Sequence, residues 1–365
     1  MAKDRVGCDF SAFIFAIQQY VSHAGSSDAL SYFVAVDVGA TNTRVSVVIK
    51  LKNHHQDHHH RHHRVGASAS NAQRFELDKF QCSSVDQLLD VLHFLNRELL
   101  TVFGGQGATA AALALAGPID KSNHHVTLTN YDEGCRVLDK HALPSGIFPF
   151  EKTRFLNDLE ACCYGVISDG INGDLDQYFT SAFEKTTTTT NESTHVSSSS
   201  SSSIDHRQKM YLEQKSYAVL AMGTGLGCGL IICNGKSDED GSLSFVPLAL
   251  EAGHVLVGNV GTKGSRKEDY EKTVSRFQYL SQSEWNSEYG IEYEDICSGR
   301  GLKNCYQFEL AYAHQPANHS ATPGDIAQTY QSDRYARMAL EARYGYLMRA
   351  AQNICVMIPS CKGVF

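Results

Sequence analysis

The sequence predicts an α/β protein of about two domains, and three features carry that expectation. Strand-like runs broken by tight glycine turns occur in both halves of the chain. Apolar residues at helical spacing lie between them. An apolar run, Thr109 to Ala116, ends on Gly117-Pro118 and has the continuous character of a strand in a parallel sheet. The 365 residues are 42% apolar and 20% charged, an ordinary globular composition that can bury a full core without staples.

Along the chain, residues 10-17 (FSAFIFAI) follow Lys3 and Arg5. Asp4 and Asp9 interrupt what would be the basic flank of a secretory leader, so an amphipathic helix packed on the domain is the better reading. Tyr32 to Leu51 reads strand, glycine turn, strand. Val85 to Leu100 carries Leu88, Leu89, Val91, Leu92, Leu95, Leu99 and Leu100 on a helical face. Phe155 and Leu156 begin a short element, and Leu159 to Val166 suits a helix. Tyr217 to Met222 and Gly229 to Cys233 frame a second glycine turn. Asp333 to Ile358 is a long helical pattern with Tyr335, Met338, Ala339, Ala342, Tyr346, Leu347 and Ala350 inward, and Lys362 to Phe365 opens a strand.

Three segments read as insertions. His54 to His63 holds seven His in ten residues, with no carboxylate or Cys partner at a fixed spacing; a solvated loop is expected over a metal site. Thr186 to Ser203 is a polar Thr/Ser tract expected to be disordered. Asn259 to Tyr289, with KGSRKEDYEK inside, is expected to be a surface excursion.

Several classes are excluded. No run approaches the roughly 18 apolar residues of a membrane span. The net charge of -8 lacks the basic excess of a nucleic-acid binder. The 11 Cys are odd in number and contain no CxxC, which suits reduced, mostly buried thiols in a cytoplasmic protein.

The chemistry concentrates in glycine turns and a polar cluster. In Asp37-Val38-Gly39-Ala40-Thr41-Asn42-Thr43-Arg44, Gly39 permits close approach or positive φ, and the short polar side chains and backbone N–H groups can form an anion nest. Asp37 could hold a hydrated Mg²⁺. Alone, this turn serves equally well as a hairpin without function. Gly223-Thr224-Gly225-Leu226-Gly227 is weak by itself, lacking the Lys of a P-loop and the spacing of a dinucleotide fingerprint. Two such turns, one in each half, favour phosphate binding.

Asn157-Asp158 could place a proton acceptor at a strand end, although local sequence favours Asp158 as a helix cap. Glu251 and His254 flank a glycine and can both hydrogen-bond vicinal hydroxyls. Glu294 precedes Ser298-Gly299-Arg300-Gly301-Leu302, where a helix should start. Residue types and spacing leave capping or surface roles open for these three.

Taken in order, DVGATNTR (37-44), LALAGPI (113-119) with LTN (128-130), FLNDLEA (155-161), LAMGTGLGCGLI (220-231), LEAGH (250-254) and EDICSGRGL (294-302) resemble the bacterial-type glucokinases, which also occur in some protists. The resemblance spans roughly residues 32 to 365. It implies two ribonuclease H-like (actin-like ATPase) domains with a cleft between them: a small domain over 1-156 and a large α/β domain over 157-365. It also implies ATP-dependent phosphorylation of the glucose 6-hydroxyl, with ATP and Mg²⁺ as the cofactors and glucose as the partner.

Carried over by position, Asp158 is the general base, which reverses its local reading as a cap. Asn157, Glu251, His254 and Glu294 match glucose-contacting positions. Asp37, Gly39, Thr41, Asn42, Gly223, Thr224 and Gly225 match the phosphate and Mg²⁺ surroundings. A cytoplasmic location and a homodimer are compatible with the resemblance. The segment after His254, VLVGNVG, lacks the cysteines of the zinc-bearing repressor-and-kinase group, and the sugar segments of the large eukaryotic hexokinases are absent. CKGVF (361-365) resembles the opening of the family's last core strand, before an adenosine-binding turn; an incomplete chain is expected over a glucose-binding sensor without turnover. A kinase for another hexose is the remaining alternative.

Overall fold

The computed structural model describes residues 9–24, 27–39, 42–52, 72–129, 131, 136–179, 212–236, 243–257, 267–282, 290–358 and 360–365. The His-rich segment 54–63, the Thr/Ser tract 186–203 and Thr41 lie outside them.

The first helix, α1 (Phe10–His23), starts where Asp9 accepts a hydrogen bond from the Ser11 backbone N–H at 3.0 Å. Phe10, Phe13, Ile17 and Val21 recur at helical spacing and form its buried stripe, as the amphipathic reading requires. They pack into a core shared with α2 (Val85–Val102), whose buried residues are Val85, Leu88, Val91, Leu92, Leu95 and Leu99. Both helices cover one face of a five-stranded sheet. Its strands are β1 (Leu30–Val38), β2 (Thr43–Leu51), β3 (Ala72–Phe80), β4 (Ala110–Leu115) and, after a small β5 (His125–Thr127) and β6 (Val137–Asp139) ribbon, β7 (Thr153–Asn157).

The order is β3-β2-β1-β4-β7, with β1, β2 and β3 antiparallel and β4 and β7 added parallel to β1. Asp37 pairs in register with Ala114, and Leu115 with Asn157, so the carboxyl ends of β1, β4 and β7 finish at one edge. That edge is where open α/β sheets take their ligands. The continuous apolar run of β4 is buried on one side only. On the other side its Ala112 and Ala114 line a cavity of about 600 Å³ with Ala35, Asp37, Leu156 and Tyr164.

The second sheet repeats the plan. Its strands are β8 (Ser216–Met222), β9 (Leu226–Lys236), β10 (Leu243–Leu250) and β11 (Cys361–Val364), ordered β10-β9-β8-β11, with β8, β9 and β10 antiparallel and β11 parallel to β8. In both sheets the glycine turn joins the first hairpin: β1 to β2, and β8 to β9. This two-fold recurrence is the ribonuclease H-like architecture of actin-like ATPases.

Between the sheets in sequence run α3 (Asp158–Asn172) and the short α4 (Leu175–Tyr178). After β10 come α5 (Lys267–Gln282), α6 (Tyr293–Cys297), α7 (Gly299–Tyr312), α8 (Pro323–Gln328) and α9 (Arg334–Met357). The inward face of α9 is Ala336, Ala339, Leu340, Tyr346, Ala350, Ala351 and Ile354, so Met338 and Ala342 sit nearer its flank than the sequence pattern suggests.

Residues 267–282 of the expected surface excursion form a helix docked on α7. Arg276 and Lys272 both pair with the fully buried Glu309, at 2.6 and 2.5 Å. A buried carboxylate must be paired, and these two cations satisfy it. The thiols are less buried than expected: among the described residues Cys163, Cys228, Cys297 and Cys305 are buried, Cys82, Cys233, Cys355 and Cys361 are half-buried, and Cys162 is exposed on α3.

Helix α3 starts at the end of β7 in the first sheet and packs along β9 and β10 of the second. Glycines on β9 make the contact: a Cβ at Gly227 would lie 2.6 Å from the Leu159 side chain, and one at Gly229 would collide with Cys163 Sγ. Gly229→Ala should therefore overpack the seam and lower stability by about 1–3 kcal/mol, read from the urea midpoint. Gly165→Ala, on the exposed side of the same helix with nothing within 4 Å, should instead raise it by about 0.5–1 kcal/mol through helix propensity.

Candidate active site

The β1–β2 turn is closed by Gly39 N–H donating to the Asn42 carbonyl at 3.0 Å. Gly39 is not in a left-handed conformation. Its requirement is space, since a Cβ would sit 3.3 Å from that same carbonyl oxygen. Asp37 and Arg44 face each other across the hairpin in a 3.2 Å ion pair open to solvent. Thr43 is buried and Asn42 half-buried.

At the end of β7, Asn157 Oδ1 accepts from the Leu159 N–H at 2.9 Å and is the N-cap of α3. Asp158 is therefore the first helical residue rather than the cap. Its Oδ1 accepts from the same N–H at 2.9 Å. The capping role thus falls largely to Asn157, and Asp158 Oδ2 remains. Partial burial raises the Asp158 carboxyl above the ordinary aspartate range, with the charges of Asp37 and Glu251 adding to the rise and its backbone hydrogen bond opposing it. Such a shift moves a carboxylate towards the basicity a proton acceptor needs.

The second turn is built differently. Gly223 N–H donates to the Gly225 carbonyl at 2.9 Å, and the Gly223 carbonyl accepts from Gly299 N–H, at the start of α7, at 2.8 Å. Gly223 and Thr224 are exposed. Among the described residues no acceptor meets the N–H of Thr224 or Gly225, so both are available to an anion. Glu294, in α6, braces the turn: its Oε2 accepts from the Leu226 N–H at 3.0 Å, and a Cβ on Gly225 would lie 2.7 Å from that oxygen. Arg300 flanks Glu294 at 3.7 Å and Asp295 at 3.5 Å.

Glu251 precedes, and His254 ends, a one-turn 3₁₀ helix, Ala252–His254, after β10. Gly253 is buried and abuts the Leu226 carbonyl, so the 3₁₀ turn rests directly on the start of β9. Glu251 is open to solvent; its Oε2 lies 3.9 Å from His254 Nε2. His254 Nδ1 lies 2.8 Å from Glu292 Oε2. That hydrogen bond, with the negative charges of Glu294, Glu292 and Glu251, raises the imidazole pKa above its ordinary value of 6.5 against the effect of burial.

Sequence reasoning missed Glu292, whose only signal was its place as the residue before an N-terminal helical turn, and Arg300. Among the described residues no group of three or more His, Cys, Asp and Glu is arranged to hold a metal ion by itself.

A family model described as Glucokinase matches residues 189–365. Glucokinase 1 of Trichomonas vaginalis is 31% identical over 304 residues, covering 80% of this chain and 71% of its own. Probable glucokinase 2 of the same organism is 29% identical over 345 residues, covering 92% and 77%. Among solved structures, glucokinase from Balamuthia mandrillaris in complex with glucose is similar with a TM-score of 0.70 at 29% identity, over 95% of this chain and 82% of that one. Leishmania braziliensis glucokinase, at 19% identity and a TM-score of 0.63 over 94% and 80%, shares the fold.

The raised Asp158 pKa has a consequence for stability. The carboxyl ionises at lower pH in the unfolded chain than in the folded one, so its contribution to stability is present at low pH and is lost as pH climbs through the folded pKa. Asp158→Asn keeps the hydrogen bond to Leu159 without the charge. It should raise the denaturation midpoint at pH 7, and the gain should shrink as pH falls and vanish by about pH 3, where the wild-type carboxyl is protonated in both states.

Proposed function

The chain belongs to the glucokinase family, and on that footing we propose that it transfers the γ-phosphoryl group of ATP to the 6-hydroxyl of D-glucose, giving glucose 6-phosphate. One observation carries the reading furthest. A carboxylate of raised basicity, Asp158, stands at the first turn of the helix that joins the two sheets, within the electrostatic reach of Asp37 beside the first turn and of Glu251 on the β10 side.

In this reaction Asp158 accepts the proton of the 6-hydroxyl as the new O–P bond forms. Asn157, whose Oδ1 is used in capping, has its Nδ2 as a donor to the sugar. Glu251 and His254 hydrogen-bond neighbouring ring hydroxyls. Glu294, fixed by the Leu226 N–H, offers Oε1 to another. The N–H groups of Thr224 and Gly225 receive phosphate oxygens, and Gly39 and Asn42 line the other phosphate-facing turn.

Asp37 fits Mg²⁺ in the manner usual for phosphoryl transfer, where one or two carboxylates hold an ion that keeps waters and takes its remaining ligands from the substrate's phosphates. Its present partner, Arg44, is a solvent-exposed pair that costs little to give up. When bound, the ion neutralises charge on the phosphates. The absence of any helix long and apolar enough to cross a membrane, among the described residues, is compatible with a cytoplasmic site of action.

A coupled assay of glucose 6-phosphate formation tests the proposal. ATP-dependent turnover of glucose is expected, and Asp158→Asn should reduce kcat by about 10²- to 10⁴-fold while glucose still binds by calorimetry. Lack of turnover with glucose, or full activity in Asp158→Asn, overturns it.

A further inference from the structure

His254 is held by a residue that none of the sugar-facing motifs contains. Glu292 is the N-cap of α6: its side chain accepts from a backbone N–H of the first turn, and its own N–H donates to Asp295 Oδ2 at 3.0 Å. It is also fixed through the backbone, by an antiparallel bridge between Leu256 and Glu292 and by the Tyr293 N–H donating to the Val255 carbonyl at 3.1 Å. His254 is anchored from the other side, where its N–H donates to the Glu251 carbonyl at 3.2 Å and Gly253 abuts Leu226. The 2.8 Å contact between Glu292 Oε2 and His254 Nδ1 therefore joins two rigid backbone segments.

An ionised carboxylate can only accept, so Nδ1 must carry a proton in this arrangement. The remaining ring atom, Nε2, is the one on the Glu251 side. We propose that Glu292 is a positioning residue for sugar binding: it fixes His254 in the Nδ1–H form and keeps Nε2 as the group that meets a sugar hydroxyl. The proposal rests on the glucokinase reading above.

The charged groups facing the imidazole are Glu251 from the 3₁₀ turn, Glu292 and Glu294 from α6 and its cap, and Arg300 of α7, which is turned to Glu294 and Asp295. Three carboxylates against one guanidinium hold the ring protonated to higher pH than a free imidazole. Below its folded pKa the ring donates at Nε2, and above it the ring accepts there. Glucose affinity should thus depend on pH through His254, separately from the dependence of turnover on Asp158.

Glu292→Gln keeps a carbonyl oxygen for the helix cap and removes the charge. A purely structural cap would leave the histidine unmoved. Two-dimensional ¹⁵N spectra of histidine-labelled protein, with the His254 signals assigned by their loss in His254→Gln, read the tautomer and titration directly. The wild-type ring should be protonated at Nδ1 when neutral and titrate above 6.5; in Glu292→Gln the midpoint should fall by about one pH unit, the scale of one charge-assisted hydrogen bond.

In parallel, KM for glucose at pH 7 should rise about tenfold in the variant with kcat little changed, and its pH dependence should shift downward with the imidazole. An Nε2–H wild-type ring, or an identical titration in both proteins, overturns the proposal. If Glu292→Gln fails to fold, the wild-type tautomer decides alone. If the pair shows its signature but saturating glucose leaves the His254 ring signals unchanged, the sugar-binding role of His254 fails while the pairing itself stands.

Discussion

The close packing of α3 on the glycines of β9 is the constraint on which the rest of the molecule depends. Gly227 and Gly229 have no side chains, so Leu159 and Cys163 reach the backbone of the second sheet directly. The helix that makes this contact begins one residue after β7, and Asn157 both ends that strand and caps the helix. The body of α3 thus belongs to the second sheet while its first residue is fixed by the first. Asp158 is held at the junction, because the strand end fixes its backbone and the seam fixes the direction of the helix behind it. The same reliance on close approach continues outward, from Gly253 against Leu226 to Gly225 against Glu294. Glycine in these positions is a packing choice, since none of the four is left-handed.

The electrostatics of the site follow from what gathers around that junction. Asp37, Asp158, Glu251, Glu292 and Glu294 come from four separate stretches of chain, with Arg44 and Arg300 as the neighbouring guanidiniums. Burial leads the rise at Asp158 and the Glu292 hydrogen bond leads it at His254, while the surplus of negative charge favours the protonated form of both; burial opposes the rise only at His254, whose protonated form is the charged one. A neutral polyhydroxyl ligand suits such a site, since it offers donors to the carboxylates and adds no charge. A polyphosphate does not, unless cations and unspent backbone N–H groups receive it. The division of labour in the proposed reaction is therefore already present in the charge distribution.

Much of this was legible in the sequence where the signal is local. Apolar spacing gives α1, α2 and α9 nearly to their ends, because each has one buried stripe and a capping Asp or Ser at its start. The glycine turns and the Asn157-Asp158 pair stand out as residue types. What stays hidden depends on distant partners. Residues 267–282 look like solvent-facing charge because Glu309, which makes Arg276 and Lys272 part of an interior, lies in another helix. Glu292 is indistinguishable from any capping acid until the fold brings His254, 38 residues away, to its side. Asp158 reads as a cap until backbone geometry assigns that role to its neighbour.

The two sheets share one plan, yet their turns differ in which polar groups are already hydrogen-bonded. In the first turn the Gly39 N–H is consumed by the Asn42 carbonyl, and among the described residues the side chains of Asp37 and Asn42 are the groups on offer. In the second turn there is only one side chain of any polarity, Thr224, and two backbone N–H groups without acceptors among the described residues. An arrangement of oriented N–H dipoles carries partial positive charge and suits an anion held at fixed distance. A carboxylate beside a hairpin suits a cation instead. On the proposed reading, one hairpin plan used twice, with different polar groups already bonded, offers complementary faces to a phosphate–metal pair without any change in topology. Glu294 braces the second turn: by taking the Leu226 N–H it leaves the N–H groups of Thr224 and Gly225 as the ones without acceptors among the described residues.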